Sequence, residues 1–537
     1  MKIRSFSALI ASGILLATAT LALSGCGVVV LYKTPEFGYA GRPVPPSQML
    51  QRVLVAFSAT GGSTGSGGLE ILDGLRDLRG NVQNTTKSFA ISGYSEAEPI
   101  SILNFPEQTT GYALSYNDGN LIDINYSKET ASGTVTSFGP QPASAAASPL
   151  GLAFAGAAQQ TGQLVFLTNG TSYLLNLPGV NKVVIDPGFS VVLAMVQNSN
   201  TLYRIVKLPA TANPVLPPGY VDCEPLLLPA YCVVPVAGTY DRPVNVNFSI
   251  DGSTAYVLNS GPENGGTTAS VALLDMSALN IDSVPTVDPL SAGAPSPMST
   301  LTSPTGSPVA NPVLIPGGVT ASNSDGTYLY LAGQQLQTSG KYKGLFAGNL
   351  TTMNLSTYAV SAPVSISDGT HTKLLFADSN TLWIASSNCA NGVRAATAAA
   401  ELASQGFTDQ AGNYNCLTMT TTGTSTPPAT IIPAVVQSNV SSVAPVTVPY
   451  INTNQNQYYY GSVDGLCWVQ TFYKVFTGYG GQVHAFYTGL NPSPIVETQQ
   501  IDANGGPPGS EINNINFTVQ GTVFDVAYMD AETNAAD

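Results

Sequence analysis

The sequence predicts an all-β protein, a β-propeller of seven blades, with eight as the alternative. Three observations carry this reading. The 537 residues include 53 Gly, 38 Pro and 25 Tyr, a composition of short strands joined by tight turns. One pattern recurs from Gln51 onwards: a glycine-bearing polar turn, an apolar strand, a polar break and a second apolar strand. Helical periodicity over a useful length is almost absent. Repeated four-stranded units with a period of about 40–50 residues mean a propeller.

The clearest repeats are Phe248 to Asn259, with Val271 to Asp275 behind it, and Ser322 to Leu331. A third runs from Ile185 to Ala194 and is followed by Thr201 to Val206. In all three the strand centre falls four residues after the glycine: Gly252 to Tyr256, Gly326 to Tyr330 and Gly188 to Val192. A fixed offset is what a hairpin repeat requires, because turn geometry sets strand register. Four more strand pairs fit without the full turn: Tyr112 to Tyr116 with Leu121 to Tyr126, Gln163 to Thr168 with Ser172 to Leu177, Lys373 to Phe376 with Thr381 to Ala385, and Leu466 to Thr471 with Val483 to Tyr487. That makes seven internal hairpins. The terminal strands, Arg52 to Phe57 and Val523 to Met529, either close the last blade or form an eighth. Pairing them would remove two exposed edges, so they are expected side by side.

Phe166-Leu-Thr-Asn169 and Tyr256-Val-Leu-Asn259 resemble the Tyr-Val-Thr-Asn strand of the YVTN β-propeller repeat family, a lactonase-like group of seven-bladed propellers. Ser249-Ile-Asp-Gly-Ser253 is similar to that family's Ser-Pro-Asp-Gly turn, with isoleucine in place of proline. Some members resemble 6-phosphogluconolactonases, which implies Arg, His and Glu around the central channel. This chain is poor in all three.

The N-terminus reads as a targeting segment. Lys2 and Arg4 precede an apolar run from Leu9 to Leu23, which ends in Leu23-Ser24-Gly25-Cys26. A basic start, an apolar stretch of that length and small residues at the end describe a secretory signal. The last four residues resemble the lipobox of bacterial lipoproteins, which implies cleavage before Cys26 and lipid on that cysteine. Two acyl chains anchor stably where one binds marginally. The expected organisation is a signal peptide over 1–25, a lipidated tether over 26–50 and one propeller over 51–537. Pro35, Pro43, Pro45 and Pro46 keep the tether extended. Gly27 gives no Asp-type retention signal, so the outer membrane of a two-membrane envelope is expected. Long Pro-, Ser- and Thr-rich loops are expected near 278–312 and 389–449; the first, Ser283 to Pro312, is expected to be partly without fixed structure.

Composition excludes one class of partner. Eighteen basic residues against 32 acidic give a net charge of −14, and only 9% of residues are charged. Nucleic-acid binding needs clustered Lys and Arg, so no nucleic acid is expected. A monomer is expected. Outside the cytoplasm disulfides persist, and Cys223 with Cys232 would close a short loop, Cys389 with Cys416 a longer one. Cys467 is left over in an apolar strand and reads as a small buried hydrophobe. No pair has zinc-site spacing.

Catalytic signatures are missing. The two histidines, His371 and His484, lie in different repeats and are read as surface residues. Gly61 to Gly68 is glycine-rich but lacks the lysine and helix of a phosphate loop. Asp186, Asp251 and Asp325 recur at turns, where Asp binds its own backbone; calcium would need several such ligands on one loop. No catalytic residue, metal or cofactor is assigned. Tyr458, Tyr459 and Tyr460, with Tyr473 and Tyr479, form the best candidate for a ligand-facing surface, since tyrosine gives large amphipathic contact area at low entropic cost. The expected function is a membrane-anchored, non-enzymatic module that binds a protein or glycan. The alternative is a lactonase-like or other hydrolytic enzyme using the channel.

Overall fold

The computed structural model describes residues 44–530 except 50, 60–65, 75–77, 80–89, 97, 210–217, 225–228, 340–342, 345, 367–368, 378–380, 388–416, 423–439, 446, 451–454, 459–462, 471–473, 480–481, 488–510 and 520. Cys26, Cys389, Cys416, Tyr459, Tyr460 and Tyr473 therefore lie outside the described residues. Tyr458 and Tyr479 are described only as members of strands.

The protein is an all-β propeller. Seven blades are each built from one continuous stretch of chain; six of them contain an expected hairpin as directly paired strands, and the seventh contains both expected strands with another between them. Their innermost strands are, in order, Pro99–Phe105, Ser144–Ala147, Val180–Ile185, Pro243–Phe248, Ala321–Ser324, Thr370–Ala377 and Val463–Val469. A further four-stranded sheet completes the ring. It takes its innermost strand, Thr522–Tyr528, from the end of the chain and the next three, Arg52–Ala59, Ser66–Asp73 and Leu78–Arg79, from the beginning. Arg52–Ala59 pairs antiparallel with Thr522–Tyr528, with Val53 opposite Tyr528 and Leu54 opposite Ala527. The terminal strands thus pair as expected, in a sheet of their own.

The sequence dictates the strands through alternation. In Thr171–Asn176 only Tyr173 and Leu175 are buried. They face the third blade, where Tyr173 stands edge-on to Tyr231 at 4.7 Å and Phe166 does so at 5.1 Å. Ala153–Ala158, between two other strands, is buried along its whole length. Each boundary between neighbouring blades is such an apolar layer, and a fully buried large side chain like Phe166 contributes about 1.5–3 kcal/mol.

The repeated turns work as their aspartates suggest. Asp251 accepts hydrogen bonds from Ser249 Oγ (2.6 Å) and Ser253 N (3.0 Å), which hold its pKa below the usual carboxylate range. Asp325 accepts from Thr327 N, Tyr328 N and the Tyr330 hydroxyl. Gly252 and Gly326 take the left-handed conformation, at φ +69° and +84°. In the third repeat the geometry shifts by one residue. Phe189, not Gly188, has positive φ, and Asp186 binds Ser190 N and Val191 N around it.

Several expectations need correction. Leu466 and Val483 lie in strands that are not partners. Lys474–Tyr479 runs between them and pairs with both. His371 and His484 are buried, 3% and 2% exposed, and His484 stacks on Phe486 with ring centroids 6.3 Å apart. Residues 278–312 form a long loop, as expected, but its described course is defined throughout. It holds the end of a helical turn (Met276–Leu279) and a small hairpin, Leu301–Thr302 with Pro308–Val309. Cys223 and Cys232 are joined across the edge of the third blade. Cys467 is buried as expected, and burial pushes its thiol up to about 12.

Candidate functional site

Antiparallel order sorts the connections onto two faces. Inner strands begin on one face, called upper here; the second-to-third-strand connections and the links between blades lie there too. The first-to-second-strand turns, with Asp186, Asp251 and Asp325, lie on the lower face.

A bulge recurs near the start of the inner strands. Register shifts by one residue at Ile100, Asn181, Val244, Thr372 and Phe524, and between Val463 and Leu466. A bulge re-aims the residue beside it. The residues that follow are Ser101, Lys182, Asn245, Lys373 and Asp525, all polar. Contacts to the next blade extend the series. The Asp525 carboxylate accepts Ile102 N–H (2.9 Å), Ser144 Oγ accepts Val183 N–H (3.0 Å), and Asn323 Nδ2 donates to Leu374 O (3.1 Å). In the seventh blade the same place is held by Gly465, where an added Cβ would lie 2.5 Å from Val526 N. The result is a polar belt around the channel, one position per sheet.

Charge on the belt is uneven. Lys373 Nζ reaches Asp525 at 3.3 Å, passing the blade whose belt position is glycine. Lys182 has no ion pair among the described residues, and burial lowers its pKa. It is nonetheless partly reached by solvent, which on an innermost strand enters through the channel. Gly465→Ala should therefore push the seventh blade off the closing sheet. A loss of about 1–3 kcal/mol is expected from overpacking, read as a lower urea midpoint.

A second polar group sits on the upper face. Glu263 lies in the helical turn Gly261–Asn264 of the fourth blade. Its carboxylate accepts from the backbone N–H (2.8 Å) and side-chain amide (3.2 Å) of Gln334 in the fifth blade. Gln334 Oε1 in turn accepts Gly369 N–H (3.2 Å) from the link into the sixth blade. Desolvation outweighs those hydrogen bonds and raises the Glu263 pKa to about 7. A carboxyl poised near neutrality can take or give a proton at working pH.

No set of three His, Cys, Asp or Glu residues could hold a metal among the described residues. Among the same residues no helix is long and apolar enough to cross a membrane. Of the expected site residues, the structure brings together Cys223 and Cys232. Tyr479 pairs with Val463 at the start of the seventh inner strand, and Tyr458 pairs with Thr447 in a small hairpin of the preceding link. Lys182 and Glu263 were missed. Glu263 carries no motif, and Lys182 is exceptional only once the bulge register is known.

The sequence matches no protein-family model and no curated protein. Solved structures similar in fold include the dihydro-heme d1 dehydrogenase NirN, at 12% identity and TM-score 0.47, over 89% of this chain and 75% of that one. The periplasmic gluconolactonase PpgL of Pseudomonas aeruginosa is similar at 11% identity and TM-score 0.41, over 89% of this chain and 98% of that one. A candidate 6-phosphogluconolactonase from Bacteroides uniformis is similar at 16% identity and TM-score 0.35, over 63% of this chain and 90% of that one. The class defined at this level is the β-propeller.

Proposed function

We propose that this is a lipid-anchored propeller of the bacterial envelope that binds a glycan at its upper channel mouth without transforming it. The polar belt carries the reading. Ser101, Ser144, Asn245 and Asn323 offer short hydrogen-bonding groups at one level of the channel, with the unneutralised Lys182 among them. Such groups suit a hydroxylated, acidic chain better than an apolar one. The lipobox at Leu23 to Cys26 supports the anchor.

A glycan array probed with the purified chain tests this. Retention of acidic glycans by the wild type, reduced at least tenfold in Lys182→Met, is the expected result. Equal retention by both, or none by either, would remove it. One observation favours a second reading, lactone hydrolysis: Glu263 is tuned near neutrality on the same face. Turnover of a lactone panel that disappears in Glu263→Gln would replace binding with catalysis.

A further inference from the structure

The excursion between Asp275 and Val313 folds back over the third blade and encloses a cleft of about 200 Å³. Val236 from the blade and Val284, Pro285, Val287 and Pro297 from the excursion line it with apolar surface, and Ser283, Thr286 and Ser296 stand among them. One wall residue is charged. Arg204 stands on the third strand of its blade, away from the channel, and is 7% exposed. Its guanidinium donates to the backbone carbonyls of Asn280 (3.1 Å) and Ser283 (2.8 Å). Both partners are neutral. The nearby carboxylate of Asp282 is turned outward to Lys207, 3.6 Å away. Burial lowers the Arg204 pKa to about 10, and the one group that opposes this is Tyr220.

A buried cation without an anion is costly, and proteins rarely keep one unpaired. The guanidinium fork matches a carboxylate in two parallel hydrogen bonds. A cavity of about 150 Å³ already takes a benzene-sized molecule, so the space suits one ring or a short branched chain. We infer that this cleft between the third and fourth blades binds a small organic carboxylate with an apolar body. The carboxylate would sit on Arg204 and the body against Val236, Val284 and the prolines. Inorganic phosphate would bring charge but nothing to fill the apolar walls.

The test uses 4-fluorobenzoate and its neutral partner 4-fluorobenzamide, observed by fluorine NMR with the purified full chain. Saturable broadening by the benzoate is expected below 10 mM, with the benzamide at least tenfold weaker. Ala294→Trp, which fills the cleft and leaves Arg204 in place, should abolish binding of the benzoate. Arg204→Gln should erase the preference for the charged probe. Absence of saturable binding to the wild type, equal binding of the two probes, or wild-type binding by Ala294→Trp would each overturn the site. The comparison of two probes on the wild type needs no variant to fold.

Discussion

Arg52→Met should cost the protein about 3–5 kcal/mol, because it removes the cation of a buried ion-pair cluster. Arg52 begins the strand that closes the ring and is 4% exposed. Its guanidinium grips Asp530 through Nη2 (2.7 Å) and Nε (3.2 Å), and reaches Glu129 at 2.9 Å and Tyr126 O at 2.6 Å through Nη1. The Asp530 carboxylate also accepts the Arg52 backbone N–H. Ser47 donates its backbone N–H to Glu129 (2.8 Å), fixing the chain before the first strand. Burial alone would lower the Arg52 pKa, but the two facing carboxylates more than offset it and raise it. Methionine fills the space and leaves two carboxylates buried without their cation. Urea unfolding would show the loss. Arg52→Lys should fall between, because an ammonium cannot fork across both partners. A loss below about 1 kcal/mol in Arg52→Met would mean that the cluster contributes little.

Glu263→Gln should make the protein more stable above neutral pH. The carboxyl pKa is about 7 in the folded protein, against an ordinary 4.5. The folded state therefore holds the proton more tightly than the unfolded chain. The stability this confers is complete below about pH 4.5 and is lost as pH rises through 7. The gap corresponds to about 3 kcal/mol at most, and partial solvent contact reduces it to about 1–3 kcal/mol. Glutamine keeps an oxygen for the Gln334 N–H and never ionises. Wild type and variant should match near pH 4.5, and the variant should unfold at higher urea near pH 8. Parallel pH profiles across that range would show that Glu263 titrates normally.

The strands and turns were legible because their signals are local. Alternation places Tyr173 and Leu175, and an aspartate with a following glycine places the turns at Asp251 and Asp325. The same locality explains the errors. Lys474–Tyr479 carries Lys474, Thr477 and Gly478, so its apolar pattern is weak; its burial comes from neighbouring strands. His371 and His484 look like surface residues until the layers on either side of them are in place. Arg52 and Asp530 are 478 residues apart, and no spacing rule links them. The belt was hidden for a further reason. Ser101, Lys182, Asn245 and Lys373 become equivalent only through bulges that shift each inner strand by one.

The closing sheet also decides how the molecule would bear load. Arg52–Ala59 enters from the lower face and lies between Ser66–Asp73 and Thr522–Tyr528, antiparallel to both. Its ladder hydrogen bonds run across the strand axis. A pull on the chain before Ser47 therefore acts along the strand and shears both ladders at once, together with the Arg52 cluster. Nothing peels one bond at a time. The strand that completes the ring is therefore the one whose two ladders must fail together before the ring opens from that end.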